Sequence, residues 1–185
     1  MFRCHISTLG TFFVTIELNC KTINNSSSMI KVQLVASYIC KRYMDTFHQA
    51  IDEMKLHKLL YFTQREALVQ TGEPMFAEQF MAWKYGPVMP LIRPLYKNGM
   101  LSEMPSDDFM NANKEVFDMV FTQYAPRDSW SLSMLSHDEY SWFKARNGCG
   151  VDDYCDSLIQ LEDIREDARR IKLRRALYRN NATSV

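Results

Sequence analysis

The chain has 185 residues, 46% of them apolar and 24% charged, a globular composition at a length suited to one domain. Its 22 Lys+Arg balance its 22 Asp+Glu, so no overall attraction to nucleic acid or an anionic membrane is built in, and any such contact must come from local clustering. Five cysteines at positions 4, 20, 40, 149 and 155 do not make a disulfide framework and suit a reducing compartment, and no apolar run approaches the length of a membrane span.

Residues 1–28 read as a leader or extension, disordered or a mis-assigned start. The run Thr11-Phe12-Phe13-Val14-Thr15-Ile16 lacks the basic flank and small-residue cleavage site of a secretion signal. Asn24 to Ser28 is linker-like, and Met29 is expected to begin a domain over 29–180, with 181–185 as a tail. Within that domain Val32, Val35, Ala36, Ile39, Cys40 and Tyr43 recur at helical spacing and predict a first helix over 30–43, with Cys40 as a core thiol. Asp52 can cap a second helix that runs to Thr71 and stops at Gly72. Its Lys55–Phe62 stretch is apolar on more than one face, which marks the central, buried helix.

Residues 76–85 alternate and predict a strand. Gly86-Pro87 is expected to stop it, with Pro87 as first residue of a helix through Val88, Leu91, Ile92, Leu95 and Tyr96 that ends at Asn98-Gly99. Leu101 to Pro105 is expected to return as a short second strand. A helix over 113–124 is broken by Ala125-Pro126, and a short helix spans 129–135. Ser136 with Glu139 three residues on reads as a capping box opening another helix. The last helix runs from about Leu158 to Arg179, with Leu161, Ile164, Ala168 and Ile171 as its buried stripe. The fold class expected is therefore mainly α (α+β): a single compact helical domain with a small antiparallel β element after the central helix.

Three blocks stand out together: Lys55-Leu56-His57-Lys58-Leu59-Leu60-Tyr61-Phe62, Ala82-Trp83-Lys84-Tyr85-Gly86-Pro87-Val88, and Leu135-Ser136-His137-Asp138-Glu139 with Trp142. In this order and spacing they resemble the Panacea domain, the SocA-like antitoxin family often found beside phage genes. The likeness covers roughly residues 30–165. It implies an antitoxin-like protein-binding domain that neutralises a cognate toxin of a toxin–antitoxin system by direct binding, in the cytoplasm and without a catalytic site. It also implies that Trp83, Tyr85, Gly86, Pro87, His137 and Trp142 line a functional corner, with Lys58 and Tyr61 approaching from the central helix.

Each of these residues also has a plain reading. The aromatics can pack under a helix while Gly86 supplies a backbone angle that other residues resist, and His137 can hold its turn to the core. His137, Cys149 and Cys155 lack zinc-ligand spacing, and no nucleophile elbow, phosphate loop or paired-acid motif supports a phage-encoded hydrolase. No cofactor, metal, membrane or small-molecule substrate is expected. In the last helix acids precede bases, which suits the helix dipole, and Glu166–Arg170 is an i, i+4 pair. The alternative for that segment is an autorepressor contact with operator DNA through Arg169, Arg170, Arg174 and Arg175, although no helix-turn-helix pattern accompanies them.

Overall fold

The computed structural model describes residues 29–150 and 152–182. The fold is built around one helix. α2, Glu53–Thr71, is opened by the Asp52 carboxylate accepting from the Lys55 backbone N–H and closed by Gly72 in the left-handed region at φ 80°, as these two residue types favour. Every residue from Lys55 to Val69 on it is buried. A helix enclosed on all sides can satisfy its polar side chains only inside the protein, and this one carries Lys55, His57, Lys58, Gln64, Arg65 and Glu66 into the interior.

The shell around α2 is helical. α1, Val32–Phe47, packs Val35, Ala36 and Ile39 into the core. Cys40 lies at the edge of that core, where burial raises its thiol to about 11. α3, Ile92–Lys97, α4, Asp107–Ala112, and α5, Lys114–Gln123, follow on one side, and α5 buries Val116, Phe117, Val120 and Phe121. α6, Ser129–His137, and α7, Tyr140–Ala145, cross another face. α8, Leu161–Ala182, lays Ile164 and Ala168 against the core, with Leu161 and Ile171 partly buried. The Glu166–Arg170 pair forms at 2.8 Å. Among the described residues no helix is long and apolar enough to cross a membrane.

The β element differs from the sequence expectation. Strand β1 is limited to Met81–Trp83, and its partner is β2, Gly86–Val88, reached by a two-residue turn at Lys84-Tyr85. Gly86-Pro87 therefore continues the sheet rather than stopping it, Pro87 does not open a helix, and Leu101 to Pro105 forms no strand. The register explains why a proline is tolerated. Pro87 faces Ala82, but the Ala82 N–H is donated outward to the Ser157 carbonyl and its C=O accepts from Arg146 Nη1. The pair thus exchanges no hydrogen bonds, and the missing N–H of proline leaves nothing unsatisfied. A bridge from Met81 to Leu158 extends the small sheet.

Two further expectations fail locally. α4 was not anticipated; Ser106 caps it. Ser136 and Glu139 do not form a capping box, because Ser136 lies within α6 and its hydroxyl donates to the Ser133 carbonyl. Glu139 instead pairs with the buried Arg65. The α7 N-terminus is served from a distance: Asp167 on α8 accepts from the Tyr140 and Ser141 backbone N–H groups at 2.7 and 2.9 Å. Cys149 and Cys155 form a disulfide across the loop after α7, where the cysteine pattern was expected to suit a reducing compartment, while Cys40 is free.

A candidate partner-binding pocket at the aromatic hairpin

Lys58 explains why the central helix and the hairpin carry their motifs. Its side chain is 1% exposed, and its ammonium donates to the Pro87 carbonyl at 2.9 Å. To reach it, the chain passes the α-carbon of Gly86. A Cβ there would stand 2.8 Å from Lys58 Nζ and 2.9 Å from its Cε, and would collide with the Ser136 hydroxyl. Gly86 also sits at φ 97°, which L side chains resist. Two independent requirements thus fix glycine at this point. Among the described residues Lys58 pairs with no carboxylate, and burial drives its ammonium down to about 7.

The neighbouring His57 is also inside, 2% exposed. Its Nδ1 accepts from the Met89 N–H at 3.2 Å, so the ring proton lies on Nε2. That atom is buried and has no hydrogen-bond partner, the Glu53 carboxylate lying 3.8 Å away. Burial, then Lys58 and Arg93, hold His57 down at about 3; it is neutral at any ordinary pH.

Both side chains line an open cavity of about 540 Å³. Its apolar walls come from Met54, Trp83, Tyr85 and Val88, and its rim from Arg93, Lys84, Asp152 and Tyr154. The rim charges are largely matched, Arg93 with Glu53 at 2.7 Å and Lys84 with Asp152 at 2.8 Å. The guanidinium of Arg93 also lies 5.2 Å from the centre of a Trp83 ring, a cation–π contact.

The structure brings the expected corner residues together but gives them different roles. Trp142 donates its indole N–H to the Trp83 carbonyl at 3.0 Å and stacks on His137 at 4.1 Å. His137 is half-buried, and burial, then Lys58 and Arg146, lower its pKa. Tyr61 is completely buried, its hydroxyl within 2.8 Å of Ser141 Oγ and donating to Asp167 at 3.2 Å. Gly86, Pro87 and Trp142 are buried as well. These residues brace the corner. Of the hairpin aromatics, Tyr85 is 49% exposed and Trp83 partly so; these two, with Lys58 at the back of the cavity, are open to a partner.

Sequence reading missed Trp130, which is 57% exposed and stands 6.0 Å from Tyr85, and the pocket residues His57, Arg93 and Tyr154. A Trp–Met pair four residues apart on α6 was the available signal, but spacing alone does not say which helix face is outside. At the other end of the molecule the basic residues of α8 are mostly engaged. Arg175 makes two hydrogen bonds to the buried Glu66 carboxylate at 2.7 and 2.9 Å. Arg169 and Arg170 pair with Glu166, and Arg174 is exposed. Among the described residues no group of three or more His, Cys, Asp or Glu could hold a metal ion.

Comparison with known proteins bears directly on this corner. The family described as Antitoxin SocA-like, Panacea domain, matches residues 56–143, the segment from Lys58 through the hairpin to Trp142. A protein named Antitoxin SocA, from Caulobacter vibrioides (strain NA1000 / CB15N), is 45% identical over 42 residues, 23% of this chain and 22% of that protein. The match therefore spans about a fifth of the relative's length. No solved structure matches the chain. Residues 56–143, which hold the buried lysine, the aromatic hairpin and the α6–α7 junction, are thus similar to the Panacea domain of the SocA-like antitoxin family.

Proposed function

We propose that this chain is an antitoxin that neutralises a protein toxin by binding it directly, through a surface running from the Trp83–Tyr85 hairpin across the outer face of α6. The observation that carries this reading is that α6, while burying Leu132, turns two serines inward and leaves two large apolar residues outside. Ser133 and Ser136 are fully buried on that helix, whereas Trp130 and Met134 are 57% and 51% exposed. A helix that served packing alone would turn its large apolar residues inward. Here Ser133 donates to the Tyr85 carbonyl at 2.8 Å and Ser136 fits against Gly86, so the serines hold the hairpin to α6 while the aromatics face out. Clustered Trp and Tyr on one exposed face are the usual composition of a protein-interface hot spot. The similarity to a protein named Antitoxin SocA supports the antitoxin role. Occlusion of the toxin surface requires shape and contact only, with no turnover.

The test is co-expression with a neighbouring reading frame that is toxic alone. Growth should be restored, and the two proteins should co-elute as a complex. The double variant Tyr85→Ala/Trp130→Ala should weaken that complex at least tenfold, because hot-spot aromatics each contribute about 2 kcal/mol or more. Its thermal midpoint should stay within a few degrees of the parent, since both side chains are exposed. Rescue of growth without a complex, or an unchanged affinity in the double variant, would count against the proposal.

A further inference from the structure

The pocket beside the hairpin has a pair of unspent donors at its back wall. An ammonium carries three N–H donors, and the Lys58 ammonium has one protein acceptor, the Pro87 carbonyl. His57 adds a buried Nε2–H with no hydrogen-bond partner. The nearest acid, Glu53, is already held by Arg93, and the second rim acid, Asp152, by Lys84. The charges around the mouth are thus satisfied internally, and the donors at the back are not. Buried donors without acceptors are costly, and Lys58 and His57 both line a cavity of about 540 Å³. Its other walls are aromatic and aliphatic. A ligand group that fits must be apolar along its length and end in an anionic acceptor with more than one oxygen.

We propose that this pocket receives the C-terminal carboxylate of a toxin whose last residue is apolar or aromatic, with Lys58 Nζ as its donor. The choice of a protein as the source rests on the function proposed above; the preference for a carboxylate rests on the pocket alone. Charge complementarity supports the same occupant, since an anion would supply the counter-charge that Lys58 lacks. Contact with the exposed aromatics of the hairpin and α6 would then grip the partner's surface while the pocket reads a single acidic group within it.

The probes are N-acetyl-phenylalanine and its C-terminal amide, titrated into the isotope-labelled full chain and followed by backbone amide shifts. The acid should bind at least tenfold more tightly than the amide, with shifts concentrated at Lys58, Gly86 and Met89. In Lys58→Met, a substitution that keeps length and removes charge, the preference should fall to near unity. Equal affinity of acid and amide in the parent chain would overturn the proposal without any variant, as would shifts elsewhere on the surface or an undiminished preference in Lys58→Met. Complex formation with the toxin is measured separately. A chain that binds toxin but treats acid and amide alike overturns the carboxylate site and leaves the proposed function. A chain that prefers the acid yet never binds toxin keeps the site and overturns the toxin as its source.

Discussion

Replacing Lys58 with methionine is the most informative single change, because it should stabilise the fold while damaging the site. In the unfolded chain a lysine titrates near 10.5, and in the folded protein burial holds this one at about 7. Below 7 both states are protonated and the folded state bears the full cost of a buried ammonium. Between about 7 and 10.5 the unfolded chain holds a proton that the folded chain has released, so stability rises with pH across that window. At about 1.4 kcal/mol per pH unit of separation, the full cost at low pH is roughly 5 kcal/mol. Between pH 6 and 9 the folded protein should recover about 2–3 kcal/mol of it. The charged and titratable groups around Lys58 are Glu53 and His57 on its own helix, His137 on α6, Arg93 on α3, and Lys84 and Asp152 at the mouth of the cavity. The two acids among them are held by Arg93 and Lys84, and neither pairs with Lys58. Methionine leaves the Pro87 carbonyl without its donor, a loss of about 1 kcal/mol. Urea unfolding of both proteins at pH 6 and pH 9 gives the comparison. Lys58→Met should be more stable by a few kcal/mol at pH 6 and nearly level at pH 9. Contributions from titrating groups that do not feel Lys58 cancel in the difference. A variant less stable than the parent at pH 6, or one with the parent's pH dependence, would refute the description of Lys58 as an uncompensated buried cation.

Gly86→Ala should lower stability by about 2–4 kcal/mol, read as a fall in the urea midpoint, since it combines a left-handed backbone angle with a collision against Lys58 and Ser136. Asp167→Ala removes the acceptor for two backbone N–H groups at the start of α7 and for the Tyr61 hydroxyl. It should cost about 2–4 kcal/mol and alter the fluorescence of Trp142, which α7 carries. The double variant Cys149→Ser/Cys155→Ser should lose about 2 kcal/mol, the value for closing so short a loop. Amide exchange should quicken in residues 152–157, which supply Asp152 and Tyr154 to the pocket rim.

The parts of the fold that could be read from sequence were those set by neighbours along the chain. α2 was readable at both ends because Asp52 and Gly72 act within one turn of themselves. The buried stripe of α8 followed from its period. The hairpin was misread because Gly-Pro normally ends a strand. Pro87 survives in β2 only because Ala82 turns both of its backbone groups away, to Ser157 and Arg146, two partners more than sixty residues further on. The supposed capping box failed for the same kind of reason. Arg65 claims Glu139 from α2 and Asp167 caps α7 from α8, and neither partner is near in sequence. Of the site, the resemblance supplied the aromatic hairpin, His137, Trp142 and Lys58. Trp130, His57 and the rim residues were hidden, because exposure and cavity walls are properties of packing.

Lys58 and Gly86 are best understood as one feature split between two motifs. Lysine is among the residues least often buried without a partner, and a sequence selected for stability alone would place an apolar side chain at position 58. The structure instead clears a path for the amine. It omits a Cβ at Gly86 and places a serine rather than a larger residue at 136. It also uses proline at 87, whose register leaves its carbonyl directed at Nζ. Three positions on two further elements are thus fitted to one polar atom that lowers stability where it sits. Residues that break the burial rule and are accommodated this thoroughly are characteristic of functional sites, where stability is exchanged for a group that acts on something outside the fold. Trp130 and Met134 on α6 break the complementary rule, large apolar residues held in water, and through Tyr85 and Ser133 the helix joins the same hairpin. Both departures from ordinary folding chemistry therefore converge on one corner of the molecule, where binding a partner would supply the missing counter-charge and cover the exposed rings together.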